Sequence, residues 1–376
     1  MATRRKTILV VGNKTKTKTK TTKKKTKHVI KPGNEIVSAE MDKLAKYMSK
    51  GYPFAYKFVK PKELIEKIRE YKPIIRTWGF TYLYANEVPE ITDHRFREKY
   101  YSVDISLWYY NNLDIIVDYY TEKSRLKCTK PDMPTPFERL ETKGGLLEFA
   151  IKYLIKKNQK LTYQAIRDAI YRYPKSYICS GESVLFYKGL IELLYGENGE
   201  FDYTKLNIMD GAIGYGQRLM TALVLKCNYI GIDPNTETIQ GCRQMIKDLA
   251  TTGKSYGAYP EYFPSSPHIN NTPANSQDLI FFSPPAFDEE IYGTHEGQSI
   301  LLFPTFDDWL ENFLKHSLDI LVSKLKSDGY LIIQSRKIKY IYAHLIHNIG
   351  LEFKGVIARR TYSDKYKPNH IFMKKN

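Results

Sequence analysis

The run LNIMDGAIGYGQRLMTALVLKCNYIGIDPN, residues 206–235, decides the architecture. LNIMD is a short apolar run ending on an acid, QRLMTALVLK has helical spacing, and NYIGID is a second apolar run ending on Asp233. A short apolar run followed by a glycine turn and a helix reads as a buried strand. Gly211, Gly214 and Gly216 permit a tight turn between that strand and its helix, leaving room for a ligand against the helix start. Asp233 lies 23 positions after Asp210, where an acidic residue accepts the ribose hydroxyls of an adenosine cofactor. Its competing role is a helix N-cap, with Thr236 an alternative cap nearby.

The alternation continues downstream. TETIQGCRQMIKDLATTGK reads as a helix with Ile239, Cys242, Met245 and Leu249 along one side. DLIFFS and GYLIIQS read as strands, with the long helix FDDWLENFLKHSLDILVSKLK between them. KYIYAHLIHNIG is a helix closed by Gly350, and EFKGVIARR with NHIFMKK forms a terminal hairpin. Strands separated by helices imply a mainly parallel sheet, and the hairpin makes it mixed. The expected class is α/β: the Rossmann-like sheet of a methyltransferase rather than of a dinucleotide dehydrogenase, preceded by an α+β segment.

Upstream the texture differs. Residues 1–34 carry 12 Lys/Arg and no acid, so the net charge of +17 falls to +5 over the remaining chain. The centre of that stretch, KTKTKTKTTKKKTK, cannot bury enough apolar surface to order itself and is expected to be a disordered tail. It suits phosphate neutralisation without sequence preference, or equally a solubilising or targeting arm. MDKLAKYM and ELIEKIREY have helical spacing, whereas TYLYANEV, YYSVDISLWYY and LDIIVDYY favour strands. The expected division is a tail over 1–34, an auxiliary domain with a possible target-recognition role over 35–145, and a helical lead-in with the main domain over 146–376. In the lead-in, LLEFAIKYLIKK and LTYQAIRDAIYRYPK form a helix pair, read as packing helices or as a helix-turn-helix DNA reader.

Cys128, Cys179, Cys227 and Cys242 contain no CxxC pair, so neither a zinc site nor a disulfide framework is expected, and no metal site is assigned. His344 and His347 read as satisfied histidines of one helix. With no apolar run of membrane-spanning length, an intracellular protein is expected, of the cytoplasm or, if viral, of the host cytoplasm or nucleus.

The glycine turn and Asp233 together suit S-adenosylmethionine, with Asp210 reaching the methionine amino group directly or through water. The candidate cofactor-binding residues are Asp210, Gly211, Ala212, Gly214, Gly216, Asp233 and Pro234. NAD competes at this level but leaves DLIFFSPPAFDEEIY, residues 278–292, unexplained. Proline cannot donate to a sheet ladder, so Pro284 and Pro285 must lie just past the strand's carboxyl end, where open α/β sheets bind ligands.

DGAIGYG, GIDPN and DLIFFSPPAFDEEIY, in that order, resemble three motifs of the amino-methylating DNA methyltransferases. EGQS…FPTFDDWLENFL and PNHIFMKK resemble bacterial and phage members of that group, and the likeness covers residues 205–376. It implies methyl transfer from S-adenosylmethionine to adenine N6 or cytosine N4 in nucleic acid, DNA before RNA. Candidate catalytic residues are Ser283, Pro284, Pro285 and Phe287. The Ser283 hydroxyl and Pro284 carbonyl would accept the amine's hydrogens, and the prolines would hold them rigidly. The family places an aromatic directly after Pro-Pro to stack on the base; here that position is Ala286, with Phe287 next. That departure motivates a second reading, a catalytically silent nucleic-acid-binding or scaffold protein. Methylation of a protein glutamine is a third, opposed by serine at the motif's first position and by the polycationic tail.

Overall fold

The structure, a computed structural model, describes residues 52–72, 74–77, 101–104, 111–140, 142, 144–173, 177–179, 181–196, 201–293, 296–360 and 368–375. The tail and the MDKLAKYM and TYLYANEV stretches lie outside them. In chain order the described elements begin with α1 (Pro61–Glu70), β1 (Ile74–Thr77), β2 (Tyr101–Asp104), α2 (Ile115–Arg125), α3 (Leu146–Lys156), α4 (Tyr163–Ile170) and α5 (Val184–Tyr195). The alternating half follows: β3 (Asn207–Asp210), α6 (Gln217–Leu225), β4 (Asn228–Ile232), α7 (Thr236–Leu249), β5 (Tyr256–Tyr259) and β6 (Gln277–Phe282). A continuous helical run over 306–324 ends in α8 (His316–Lys324), and β7 (Leu325–Ile333) succeeds it. Next come α9 (Ile338–Tyr342), continued by Ala343–Ile349, then β8 (Glu352–Arg360) and β9 (Pro368–Met373).

The described strands form one nine-stranded sheet in the order β1-β2-β8-β9-β7-β6-β3-β4-β5. From β5 through β7 all neighbours run parallel, while β9 lies antiparallel between β7 and β8. This is the mixed, mainly parallel α/β sheet expected above. Alternating residues divide the core into two layers. Ile208, Leu279 and Phe281 face α5, α6 and α7, whereas Met209, Ile280 and Phe282 face Trp309, Leu314, Leu318 and Leu321 of the long helical run. Reading outward from β3, the chain moves to β4 on one side and returns to β6 on the other. The crevice at the carboxyl ends of β3 and β6 is therefore a topological switch point, the usual ligand position.

Three expectations change. LDIIVDYY is helical rather than extended, being part of the short 3₁₀ turn Asn111–Asp114 and of α2. Its Leu113, Ile116 and Val117 are buried at helical spacing in the layer shared with α5 and α6, so tertiary burial overrode the β-branched run. The described parts of 35–145 do not stand apart as an auxiliary domain. α1 and α2 contribute Ile65, Ile68, Ile116 and Val117 to the main core, and β2 pairs parallel to β8. Cys128 and Cys179, 51 residues apart, are joined in a disulfide with Cα atoms 6.1 Å apart, a pairing that sequence spacing does not encode.

A buried ion cluster fastens α4 to α2. Arg167 Nε meets Glu122 Oε1 at 2.5 Å, Arg167 also contacts Asp118, and Arg125 Nη2 meets Asp118 Oδ1 at 2.5 Å. Glu122 Oε2 also accepts the Ala55 amide at 2.7 Å, so this one carboxylate ties three segments together. α3 and α4 pack on one another through Leu147, Ile151, Ile166 and Ile170, and Lys152, Lys156, Lys157 and Lys160 are exposed around their junction. Among the described residues, no helix is long and apolar enough to cross a membrane.

Candidate active site

An open-mouthed cleft of about 200 Å³ lies at the switch point. It is lined by the glycine loop (Ala212, Ile213, Gly214), by Asp233 and Pro234 after β4, by Ser283 and Pro285 after β6, and by Gln334 after β7. Four strand ends thus converge on one space.

Gly214 and Gly216 have φ of +59° and +97°, the left-handed region that only glycine enters freely. At Gly214 an added Cβ would meet nothing within 4 Å, so that backbone borders open space, while at Gly216 it would come 3.2 Å from Cys242 and Met245 of α7. The first glycine leaves room in the cleft; the second lets α6 start against α7.

Asp233 is half-buried and accepts the Gly214 amide on Oδ2 at 3.0 Å and the Asn235 amide on Oδ1 at 2.9 Å. Burial raises its pKa to about 6 against the lowering effect of those two amides. The cap of α7 is Asn235, whose side chain accepts from Thr238 N at 3.1 Å, so neither Asp233 nor Thr236 caps the helix. Asp233 instead presents a fixed carboxylate at the cleft wall, bonded to the glycine loop itself.

Asp210 behaves differently from the expectation. Its side chain is 0% exposed and accepts from Arg218 Nε at 2.7 Å, Tyr229 OH at 2.8 Å and the Ala212 amide at 3.2 Å. Arg218 also donates to the Ala212 carbonyl and, at 3.4 Å, to Tyr187 OH. Asp210 thus locks the glycine loop onto α6 from beneath, and it is not among the described residues lining the cleft. Removing one partner of so buried a pair typically costs about 3–5 kcal/mol.

At the Ser-Pro-Pro turn, Ser283 Oγ donates to the Gln334 carbonyl at 3.2 Å. With its hydrogen so directed, the lone pairs of Ser283 are left for the cleft. Pro284 is buried, while Pro285 reaches the cleft wall. The turn tightens through Phe287 N→Pro285 O at 3.0 Å, and Phe287 itself has φ +37°, a strained value for a non-glycine residue. That twist turns its ring toward Phe306 and Trp309, at centroid distances of 5.7 and 5.9 Å, where it packs on the core layer of the long helix. The structure therefore brings Ser283 and Pro285 to the cleft with Asp233 and the glycine loop, and it directs Phe287 elsewhere.

The segment after the turn is pinned on two sides. Thr129 and Ile291 exchange backbone hydrogen bonds of 2.9 and 2.8 Å, and Asn235 Nδ2 donates to the Tyr292 carbonyl at 3.0 Å. Tyr177 and Tyr292 both donate to the Glu290 carboxylate, the latter at 2.5 Å. Cys179 of the disulfide lines the cleft beside this cluster.

Arg218, Gln334, Glu290 and Tyr292 also line the cleft, inside the quoted runs but with nothing in the pattern marking them as functional, and Glu182 and Tyr187 line it from outside those runs. Gln334 lies within GYLIIQS and was findable as the residue just past the end of the strand beside β6. Glu182 precedes Ser183, the N-cap of α5, and carries no local signal of its own. His344 is bonded to Asp319 at 2.7 Å, and no metal-binding group of His, Cys, Asp or Glu occurs among the described residues.

No family model and no curated protein matches the chain. Among solved structures it is similar to a SAM-dependent methyltransferase from Aquifex aeolicus, with 16% identity, 49% of this chain and 87% of that one covered, and a TM-score of 0.31. It is also similar to an rRNA methylase from Streptococcus thermophilus, with 11% identity, coverage of 53% and 99%, and a TM-score of 0.33. A third similar structure is the magnesium protoporphyrin IX methyltransferase from Synechocystis PCC 6803 with bound SAM, with 11% identity, coverage of 52% and 87%, and a TM-score of 0.34.

Proposed function

We propose that the protein is an S-adenosylmethionine-dependent methyltransferase acting on an exocyclic amino group of a nucleic-acid base, in DNA before RNA, at adenine N6 or cytosine N4. The observation that carries this reading is the meeting, in one cleft, of a glycine loop, a carboxylate bonded to that loop, and a serine whose own hydrogen is already given away. These residues fit the cofactor: Gly214 leaves open space at the loop, and Asp233 has a lone pair remaining on each oxygen for ribose hydroxyls. When bound, S-adenosylmethionine supplies an electrophilic methyl group on a cationic sulfur.

The chain's own part is to prepare the acceptor nitrogen. The lone pair of an aromatic amine is delocalised into its ring, so it attacks poorly while planar. Ser283, oriented by Gln334, accepts one N–H and favours the tetrahedral geometry that frees the lone pair. Because Pro284 and Pro285 restrict the turn, that acceptor needs little reorganisation. The nitrogen is itself the nucleophile, so no covalent enzyme intermediate is required. Phosphate contacts would come from the basic tail and from exposed Lys156, Lys157 and Lys160.

The test is transfer of a labelled methyl group to mixed DNA and RNA, read by nucleoside mass spectrometry. Labelled N6-methyladenine or N4-methylcytosine is expected, and Ser283→Ala should lower kcat by about 10²–10³ while leaving cofactor affinity unchanged. Good cofactor binding with no labelled base would contradict the reading. A second reading, a silent nucleic-acid-binding protein, is favoured by the turning of Phe287 away from the cleft beside Ala286. Native turnover removed by Ser283→Ala would eliminate it; activity appearing only in Ala286→Tyr would support it.

A further inference from the structure

The Cys128–Cys179 disulfide stands where two walls of the cleft meet. Cys128 is 0% exposed and Cys179 4% exposed, and with Tyr215 they form a small cluster of their own, flanked by Tyr177 and Tyr292. Tyr215 lies between Gly214 and Gly216 of the glycine loop, and Tyr292 belongs to the segment after the Ser-Pro-Pro turn. The bond therefore packs against both walls at once. Cys179 also lines the cleft, so this end of the bond borders the space open to a ligand.

Each half of the bond holds part of these walls. Cys128 precedes Thr129, whose backbone exchanges hydrogen bonds with Ile291. Thr121 of α2, the helix leading to Cys128, donates to the Tyr215 carbonyl at 2.8 Å and so ties that helix to the glycine loop. On the other side, residues 177–179 belong to no helix or strand. Tyr177 donates to Glu290, the cleft-lining acid to which Tyr292 also donates, and Arg125 Nη1 reaches the Cys179 carbonyl at 3.5 Å. Against such side-chain contacts, the covalent bond is the strongest restraint on 177–179. Cys227 and Cys242 are free and buried.

We propose that this disulfide is a redox clamp on the cleft: formed, it holds the walls ready for the ligand; reduced, it releases 177–179 and loosens 286–292. The reductant is a small dithiol that reaches Cys179 through the cleft. Its thiolate attacks Cys179 Sγ, and the Cys128 sulfur leaves and takes up a proton. The second thiol then displaces Cys179, which takes up a proton in turn. Two electrons and two protons pass to the protein, and the dithiol closes to its cyclic disulfide. A ligand entering the reduced cleft has to order the released residues again, which lowers its affinity.

The test compares the native full chain after treatment with oxidised glutathione and after reduction by dithiothreitol. Alkylation in denaturant should count two thiols in the first state and all four cysteines in the second. On reduction, hydrogen exchange at Thr129 and over 286–292 should quicken about 10-fold. Binding of labelled S-adenosylhomocysteine, by equilibrium dialysis, should weaken about 10-fold. Both should return on reoxidation, and Cys128→Ala should match the reduced chain and ignore the dithiol. Four thiols in the oxidised chain, or exchange that is equal in the two states, would overturn the proposal. So would equal affinity in a chain that binds S-adenosylhomocysteine, even with a lower melting temperature, since the bond would then serve stability alone. The binding arm rests on the cofactor assignment above and the exchange arm does not. Quickened exchange in a chain that binds no S-adenosylhomocysteine in either state would support the clamp and overturn that assignment.

Discussion

On the proposed reading, Asp233 offers ribose hydroxyls an ionised carboxylate above pH about 6, and below it the group is protonated by the cost of its own burial. Its folded pKa is raised, so the acceptor appears as pH rises through about 6 and is lost as pH falls through it. Cofactor affinity should therefore drop between pH 7 and 5, and Asp233→Ala should be weaker throughout and flat over that window. A pH-independent native affinity would remove Asp233 from the ribose role. Asp233 was legible because position and type both marked it. Asp210 was equally legible as a member of the site, yet its role was not, since nothing local announces that Arg218 and Tyr229, eight and 19 residues on, close over it. Phe287 teaches the same lesson. Adjacent side chains in an extended chain point apart, but its φ of +37° is a property of the folded turn.

At the scale of elements, the first turn of α6 depends on Gly216. Alanine there meets both an unfavourable φ and atoms of Cys242 and Met245 at 3.2 Å. Gly216→Ala should cost about 1–3 kcal/mol in chemical denaturation, whereas alanine at Gly214, with open space around it, should cost only the strain of its φ, about 1 kcal/mol. Equal costs at the two positions would show that packing against α7 is not what Gly216 serves. The strands and helices of 206–235 could be read from the chain because each has its own boundary signal, from Asp210 through Gly216 to Asp233. β5 at Tyr256–Tyr259 escaped because four residues with two half-exposed tyrosines lack an apolar run. α2 was misread because Ile115, Ile116 and Val117 suit a strand locally, and only the core shared with α5 and α6 decides for a helix.

Over the whole molecule, the mainly parallel sheet and its antiparallel end followed from the alternation of elements and the terminal hairpin, but the joining of β1 and β2 to its β8 edge did not, because long-range pairing leaves no periodic trace. The antiparallel strand β9 sits between β7 and β8 and carries His370, which is 0% exposed and hydrogen-bonded through Nδ1 to Tyr342 OH at 2.8 Å. Burial lowers its pKa to about 3 from 6.5. The unfolded chain then binds a proton that the fold excludes, so this group's contribution to stability is lost as pH falls below 6.5, by up to about 1.4 kcal/mol per pH unit. Melting at pH 7 and 5 should show that loss in the native chain and less of it in His370→Gln; identical slopes would contradict a neutral buried imidazole. The proposed methyl transfer makes a larger demand on the same sheet, that four strand ends place one acceptor oxygen opposite one methyl group. The most direct measurement is a crystal structure with S-adenosylmethionine bound. The expected result is a ribose on Asp233 and a sulfonium methyl facing Ser283 Oγ across the cleft; a cofactor seated elsewhere, or a Ser283 hydroxyl turned from that methyl, would contradict it.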